Sequence, residues 1–237
     1  FSKANWWIGK LLMNLADNII WLFDYDLTLY TSEERYVLDS LDKRITEFVQ
    51  ELLSVDFEKA SQIRQKYLQE FGTTLSGLQV KHGTSPNDFF DFIHQPEYLI
   101  YPPLSVEKKS ILENLPGKKI VFTNGRADWA SAGLKAMGIF SCFEYIFDLK
   151  AMDWIGKPVA SAYDKMQNFL KLHFKENDLT KIVFLDDASR NLPMAKSKGW
   201  FTILVGGTLS NEFMDFSLES ILDLSAILPD LMERLHV

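Results

Sequence analysis

The sequence predicts an α/β protein: a doubly wound parallel sheet with a Rossmann-like core and an inserted all-helical subdomain. Three observations carry this. Apolar runs of about five residues recur along the chain, each bounded by polar residues, as expected of strands buried on both faces. Helical patterns lie between those runs, which is the alternation of a parallel sheet. Between residues 31 and 103 the pattern is helical alone, which marks an insertion rather than a further βα unit.

Taken in order, the first strand is read over residues 18–23 and ends at the acidic pair Asp24 and Asp26. Residues 32–53 place Val37, Leu38, Leu41, Ile45, Phe48, Val49 and Leu52 on one helical face. Further helices are read over 57–71 and 86–94, and Pro96, Pro102 and Pro103 mark the return to the sheet. A second strong strand covers 119–123, followed by a helix over 128–137 that Gly138 stops. Residues 145–147 form a weaker strand candidate. A helix over 161–174 carries Tyr163, Met166, Phe169, Leu170 and Phe174 at helical spacing. Strands at 181–185 and 201–205 flank a short helix at 191–198 that ends before Gly199. The core is thus assigned to residues 13–30 and 104–237 and the insertion to 31–103. Met13 is the expected native start, residues 1–12 being a tag or a misassigned start.

The 237 residues are 47% apolar and 24% charged, which excludes a disordered chain. Lys plus Arg is 25 and Asp plus Glu is 32, a net charge of −7. Such a chain lacks the general phosphate-attracting field of a protein that binds nucleic-acid polymers. Cys142 is the one cysteine, so no intramolecular disulfide forms, and a reducing, cytoplasmic location is expected. The apolar runs fall far short of the roughly 18 residues of a membrane span, so no membrane partner is expected.

Four polar clusters follow the strand signals. Asp24 and Asp26 end the first strand, where ligands of open α/β sheets bind. Two carboxylates there can hold a hard cation or divide into nucleophile and acid/base, although Asp-x-Asp also occurs in helix caps and turns. Thr123-Asn124-Gly125 ends the second strong strand and offers a hydroxyl and backbone N–H groups to an anion, or forms a plain Asn-Gly turn. Gly156-Lys157-Pro158 places a cationic point charge before a helix. Asp186 and Asp187 are adjacent acids at a strand end, which repel unless a cation or donors compensate, or Asp187 caps the next helix.

In this order the clusters resemble the haloacid dehalogenase superfamily, in its phosphatase branch, from about residue 18 to residue 205. Asp24, Asp26 and Thr28 match its D-x-D-x-T motif, Thr123 its hydroxyl, Lys157 its lysine, and Asp186 and Asp187 its acidic motif. The resemblance implies that Asp24 is the nucleophile and Asp26 the general acid/base. It implies Mg²⁺ held by Asp24, the backbone carbonyl of Asp26 and Asp186, with Asp187 nearby. Thr123, the N–H of Asn124 and Lys157 would hold the phosphoryl oxygens. The dehalogenases that name the superfamily lack the second acid, so Asp26 points to phosphoryl chemistry. The insertion would be a mobile cap, hinged near 29–31 and 101–103.

Residues 67–78, His82, residues 88–94 and Leu27-Thr28-Leu29-Tyr30 resemble a narrower group, the pyrimidine 5′-nucleotidase-like proteins. This implies a nucleoside monophosphate substrate, with Thr74 and His82 as candidate contacts. Aromatic side chains stack on bases, and Thr and His hydrogen-bond base or sugar edges. By themselves, Phe89, Phe90 and Phe92 read as core of the insertion, and Gly72 and Gly77 as a helix end and a turn. The competing readings are a phosphatase for another small metabolite, such as a sugar phosphate or phosphoglycolate, a phosphomutase, and a non-enzymatic regulator.

Overall fold

The computed structural model describes residues 18–174, 180–207 and 211–235. The expected start at Met13 and residues 1–12 lie outside them. Six parallel strands form one sheet in the order β3-β2-β1-β4-β5-β6. These are β1 (Ile19–Phe23), β2 (Lys118–Phe122), β3 (Tyr145–Phe147), β4 (Lys181–Asp186), β5 (Phe201–Val205) and β6 (Phe216–Leu218). All five residues of β1 are buried, because β1 sits between β2 and β4 under helices on both faces. Trp21 is fully buried and satisfies its indole N–H on the Pro116 carbonyl at 2.6 Å.

The segment between β1 and β2 is helical: α1 (Tyr36–Leu53), α2 (Phe57–Phe71), α3 (Thr74–His82), α4 (Pro86–Ile93) and α5 (Val106–Asn114). Caps set its boundaries. Asp56 accepts from Lys59 N, Thr73 from Ser76 N and Ser85 from Asp88 N, and Gly72 and Gly83 end α2 and α3 in left-handed conformations. The helix α3 corrects the reading of Gly77 as a turn. Gly77 is helical, and a Cβ there would lie 2.4 Å from the Tyr67 ring, so it is glycine because α2 packs against it.

The remaining helices are α6 (Ala127–Ala136), α7 (Ala160–Phe174), α8 (Leu192–Ser197) and α9 (Leu224–Leu235). The sequence reading had no counterpart to α5, β6 or α9. Only Lys108 and Leu112 of α5 are buried, which is too little for a 3.6-residue apolar pattern. The strand β6 has three residues, and Pro229 interrupts the pattern of α9. No helix among the described residues is long and apolar enough to cross a membrane.

The helical segment rests on the core through specific contacts. Arg126 donates to Asp91 at 2.6 Å and His94 Nδ1 lies 3.2 Å from Asp128, while Lys108 of α5 pairs with Glu34 of the insertion at 2.7 Å. Burial would raise the Asp128 carboxyl, but hydrogen bonds from His94 and Arg126 outweigh it and hold the group well below the usual range. The two crossings at 29–31 and 101–103 carry the buried residues Leu29, Tyr30 and Pro102.

One glycine fixes how α6 meets β1. A Cβ on Gly133 would fall 1.6 Å from the hydroxyl of Tyr25, which is buried without a hydrogen-bond partner. Inside a helix, Gly→Ala ordinarily stabilises by about 1 kcal/mol. Here overpacking reverses the sign, and Gly133→Ala should destabilise by roughly 1–3 kcal/mol in urea titration. Tyr25→Phe removes the colliding hydroxyl but leaves the ring carbon Cζ 2.7 Å from the new Cβ, so the double variant should recover only part of that loss.

Candidate active site

The polar clusters meet at the carboxyl edge of the sheet, because β2, β1 and β4 are neighbours. The last ladder bond of β1 runs from Asp24 N to Leu185 O at 2.9 Å. The chain then turns: Leu27 takes a left-handed conformation (φ 57°), and Thr28 N and Leu29 N both donate to Tyr25 O. The turn carries Asp26 out of the pleat. Thr28 is fully buried, and its Oγ1 accepts the Asp187 N–H at 3.0 Å, tying the β1 loop to the β4 loop.

Lys157 is at the centre. Its ammonium donates to Asp24 Oδ1 at 2.9 Å, Asp186 Oδ2 at 2.7 Å and the Phe122 carbonyl at 2.7 Å. These are all three of its protons. The phosphoryl contact expected of Lys157 therefore requires one bond to be exchanged. Asn191 Nδ2 donates to both oxygens of Asp186 at 2.9 Å, and Ala188 N to Oδ1, so Asp186 is held from three sides.

Asp24, Asp186 and Asp187 each bring a carboxylate oxygen within 4.8 Å of the others. At an effective dielectric near 20, a unit pair at that range interacts by about 3.5 kcal/mol. One ammonium cannot match three mutually repelling carboxylates. Accordingly, Asp24 is pushed well above the usual carboxylate range, by burial first and then by Asp186, Asp187 and Asp26, against the lowering effect of Lys157. Burial and Asp186 push Asp187 up to about 7. Burial alone would lower Lys157, but Asp186 and Asp24 outweigh it and raise it. Three carboxylate oxygens with a net negative charge fit a hard divalent cation such as Mg²⁺.

The Asp26 carboxylate stands apart from that group. Its Oδ1 accepts from Tyr30 OH at 2.6 Å and from Trp129 Nε1 at 3.0 Å. Burial raises it above the ordinary range, and these two bonds work against the rise. Neutral donors thus hold one oxygen of this side chain, and the carboxylate cluster of Asp24, Asp186 and Asp187 forms without it, consistent with the resemblance, which gives the metal only the Asp26 backbone carbonyl.

Thr123 is buried, and its Oγ1 accepts the Gly125 N–H at 2.9 Å. The Asn124 side chain is paired with the backbone of Lys157 in both directions, at 2.8 and 2.9 Å. That approach requires Gly156, where a Cβ would lie 2.4 Å from Asn124 Oδ1. The Asn124 side chain thus fixes the loop that delivers Lys157.

Above these groups lies a cleft of about 570 Å³ between the helical segment and the core. Asp26, Asp187, Asn124 and Gly125 form its floor, and Thr74, Leu75, Phe89, Phe90, Ile93 and His94 form one wall. Thr74 is placed there as expected. His82 is not, and that expectation is corrected: it is exposed at the end of α3, with Nε2 2.8 Å from Tyr67 OH. The histidine at the cleft is His94, whose buried Nε2 has no partner. Phe89 and Phe90 are buried and border the cleft, whereas Phe92 lies under Arg44 at 4.1 Å. Arg190 borders the cleft and donates to Gly72 O at 3.3 Å. Tyr30, Trp129 and His94 were not among the sequence-derived site residues, since their link to Asp26 exists only after folding.

No protein-family model matches the sequence. Among solved structures, this chain is similar to a haloacid dehalogenase-type phosphatase from Thermococcus onnurineus, at 18% identity and a TM-score of 0.57, over 88% of this chain and 97% of that one. It is also similar to a β-phosphoglucomutase from Clostridium difficile, at 15% identity and 0.58, over 92% and 99%. An L-2-haloacid dehalogenase from Xanthobacter autotrophicus aligns at 17% identity and 0.50, over 90% and 98%. The chain therefore has the fold of the haloacid dehalogenase-like hydrolases.

Two outcomes follow from the geometry. A Cβ on Gly125 would sit 3.3 Å from Thr123 Oγ1 and 3.8 Å from Asp26 Oδ2, on the floor of the cleft. Gly125→Ala should fold with nearly unchanged thermal stability yet lose at least about tenfold in kcat/KM, as a misplacement of about 1 Å can cost more than that. Mg²⁺ at about a hundredfold excess over its Kd should add roughly 2.7 kcal/mol to stability. That corresponds to a rise in Tm of about 5–10 °C, measurable by scanning calorimetry, which Asp186→Asn should remove.

Proposed function

We propose that this chain is a Mg²⁺-dependent phosphomonoester hydrolase of the haloacid dehalogenase superfamily, acting on nucleoside 5′-monophosphates and preferring pyrimidine ones. The observation that carries the reading is the unequal treatment of two carboxylates. Asp24 is paired with Lys157 among other acids, and Asp26 is held by two neutral donors. With a cation bound, the first arrangement would suit a nucleophile that must be an anion; the second suits an acid that must release and regain a proton.

In the first step an Asp24 oxygen forms a bond to phosphorus while the bond from phosphorus to the ester oxygen breaks. Asp26 gives its proton to the departing alcohol. In the second step water attacks phosphorus, Asp26 takes a water proton, and the bond between Asp24 and phosphorus breaks to release inorganic phosphate. Mg²⁺ held by Asp24, Asp186 and Asp187 would let the anionic carboxylate meet the anionic phosphate. Thr123 and the N–H of Asn124 would orient the phosphoryl oxygens, and Lys157 would limit the charge on Asp24. Residues 31–103 would act as the cap that excludes water from this space.

The substrate reading rests on the cleft. Phe89, Phe90, Leu75 and Ile93 give it an apolar wall suited to a flat base, with Thr74 and His94 as polar contacts. A sugar phosphate would leave that wall unused. Asp26 also weighs against carbon–halogen chemistry, which needs no proton for its leaving halide.

Phosphate release should be measured on UMP, CMP, AMP, ribose 5-phosphate and glucose 6-phosphate, with Mg²⁺ and with EDTA. Base stacking worth about 1–3 kcal/mol should give UMP and CMP roughly a 5- to 100-fold higher kcat/KM than ribose 5-phosphate. EDTA should abolish release, and Asp24→Asn should lower kcat about a thousandfold or more. Equal rates on all esters would remove the nucleotide assignment and leave the phosphatase reading intact.

A further inference from the structure

We propose that Tyr30 and Trp129 are positioning residues that hold Asp26 by Oδ1 and leave Oδ2 as the one atom that carries the catalytic proton. The inference rests on the phosphatase reading and adds to it which oxygen does the chemistry and what selects it.

Both donors converge on the same oxygen. Tyr30 OH lies 2.6 Å and Trp129 Nε1 3.0 Å from Asp26 Oδ1. Tyr30 is fully buried and Trp129 is 1% exposed, so neither exchanges its bond with solvent. An oxygen that already accepts an O–H and an N–H cannot carry a proton without breaking one of those bonds. Oδ2 has no such donor among the described residues. It lies on the side of Gly125, where a Cβ would be 3.8 Å away, and Asp26 and Gly125 both line the cleft.

The clamp is itself braced. The Trp129 indole is stacked by His94 of the helical segment, with centroids 5.8 Å apart, and packs on Tyr101 at 5.4 Å. Tyr25 meets both clamp residues edge-on, Trp129 at 6.2 Å and Tyr30 at 5.4 Å. The Tyr30 and Trp129 donors therefore stay in place when the proton leaves. As the Oδ2–H bond breaks and the alcohol O–H bond forms, negative charge develops on Asp26 and is shared with Oδ1. The two donors hold that charge without having to reorganise.

A general acid matters in proportion to the basicity of the leaving group, and this separates a proton-positioning role from a structural one. Trp129→Phe and Tyr30→Phe keep an aromatic ring and remove one donor each. The quantity to measure is kcat/KM, which covers the steps up to alcohol departure, on UMP and on p-nitrophenyl phosphate with Mg²⁺. UMP expels a basic alkoxide, and p-nitrophenolate leaves with little need of a proton. For each variant, the loss on UMP should exceed the loss on p-nitrophenyl phosphate by about tenfold or more, as for Asp26→Asn. Equal losses on the two esters, or no loss on either, in variants with wild-type melting curves would overturn the clamp while leaving the phosphatase reading standing. Wild-type protein that hydrolyses neither ester would overturn both. Because the two donors are tested separately, one variant that fails to fold leaves the other to decide.

Discussion

The structure is organised around a shortage of positive charge. Three carboxylates gather at the carboxyl edge of the sheet, and the buried ammonium of Lys157 pairs with two of them. A buried ion left uncompensated costs several kcal/mol, so every nearby element acts to reduce the imbalance. Asn191 and the Ala188 N–H bind Asp186, and the Phe122 carbonyl takes the third proton of Lys157. Asn124 and Gly156 fix the loop that brings Lys157 there. The strand order is what creates the problem, since adjacent β2, β1 and β4 must end side by side. What remains uncompensated is the reason a divalent cation suits this place.

The parts of this arrangement that strands deliver were legible in the sequence. A buried strand is a short apolar run, and its end is marked by the first polar residues. Asp24, Thr123 and Asp186 could therefore be placed at strand ends, whereas the position of Lys157 before a helix said little by itself and its role came from the resemblance. The fold class was legible for the same reason. The residues that were not legible act across the chain. Trp129 stands 103 positions from Asp26, and His94 reaches the same centre from the helical segment. Nothing in their neighbours along the sequence distinguishes them from core aromatics or helix-end histidines.

The two cap histidines show where sequence spacing stops being informative. His82 and His94 both sit at helix ends, and the sequence reading gave His82 to the substrate. Packing decides otherwise. The α2–α3 contact, closed by Gly77 against Tyr67, carries His82 away from the cleft and pairs it with the Tyr67 hydroxyl. The α4 helix lies against α6, so His94 is buried between Phe90 and Trp129. A glycine that resembles a turn is in fact a close helix–helix contact, and that contact is a feature the spacing of the histidines does not carry.

The same physics separates the two acids of the first motif, although only Tyr25 lies between them. Asp24 faces charges and Asp26 faces dipoles. Lys157 lowers Asp24 against burial and its acidic neighbours, and a cation in the cluster would lower it further, which suits a nucleophile but would fix an acid in its spent form. Neutral donors stabilise the anion less, and burial opposes it, so both protonation states stay within reach. Tyr25 enforces the division. Its ring packs against Tyr30 and Trp129 on the Asp26 side, and its hydroxyl rests on Gly133 of α6. The residue between the acids is thus part of the wall that gives each its own environment. A motif read as two carboxylates at a fixed spacing is better understood as three residues, the middle one keeping the outer two chemically distinct.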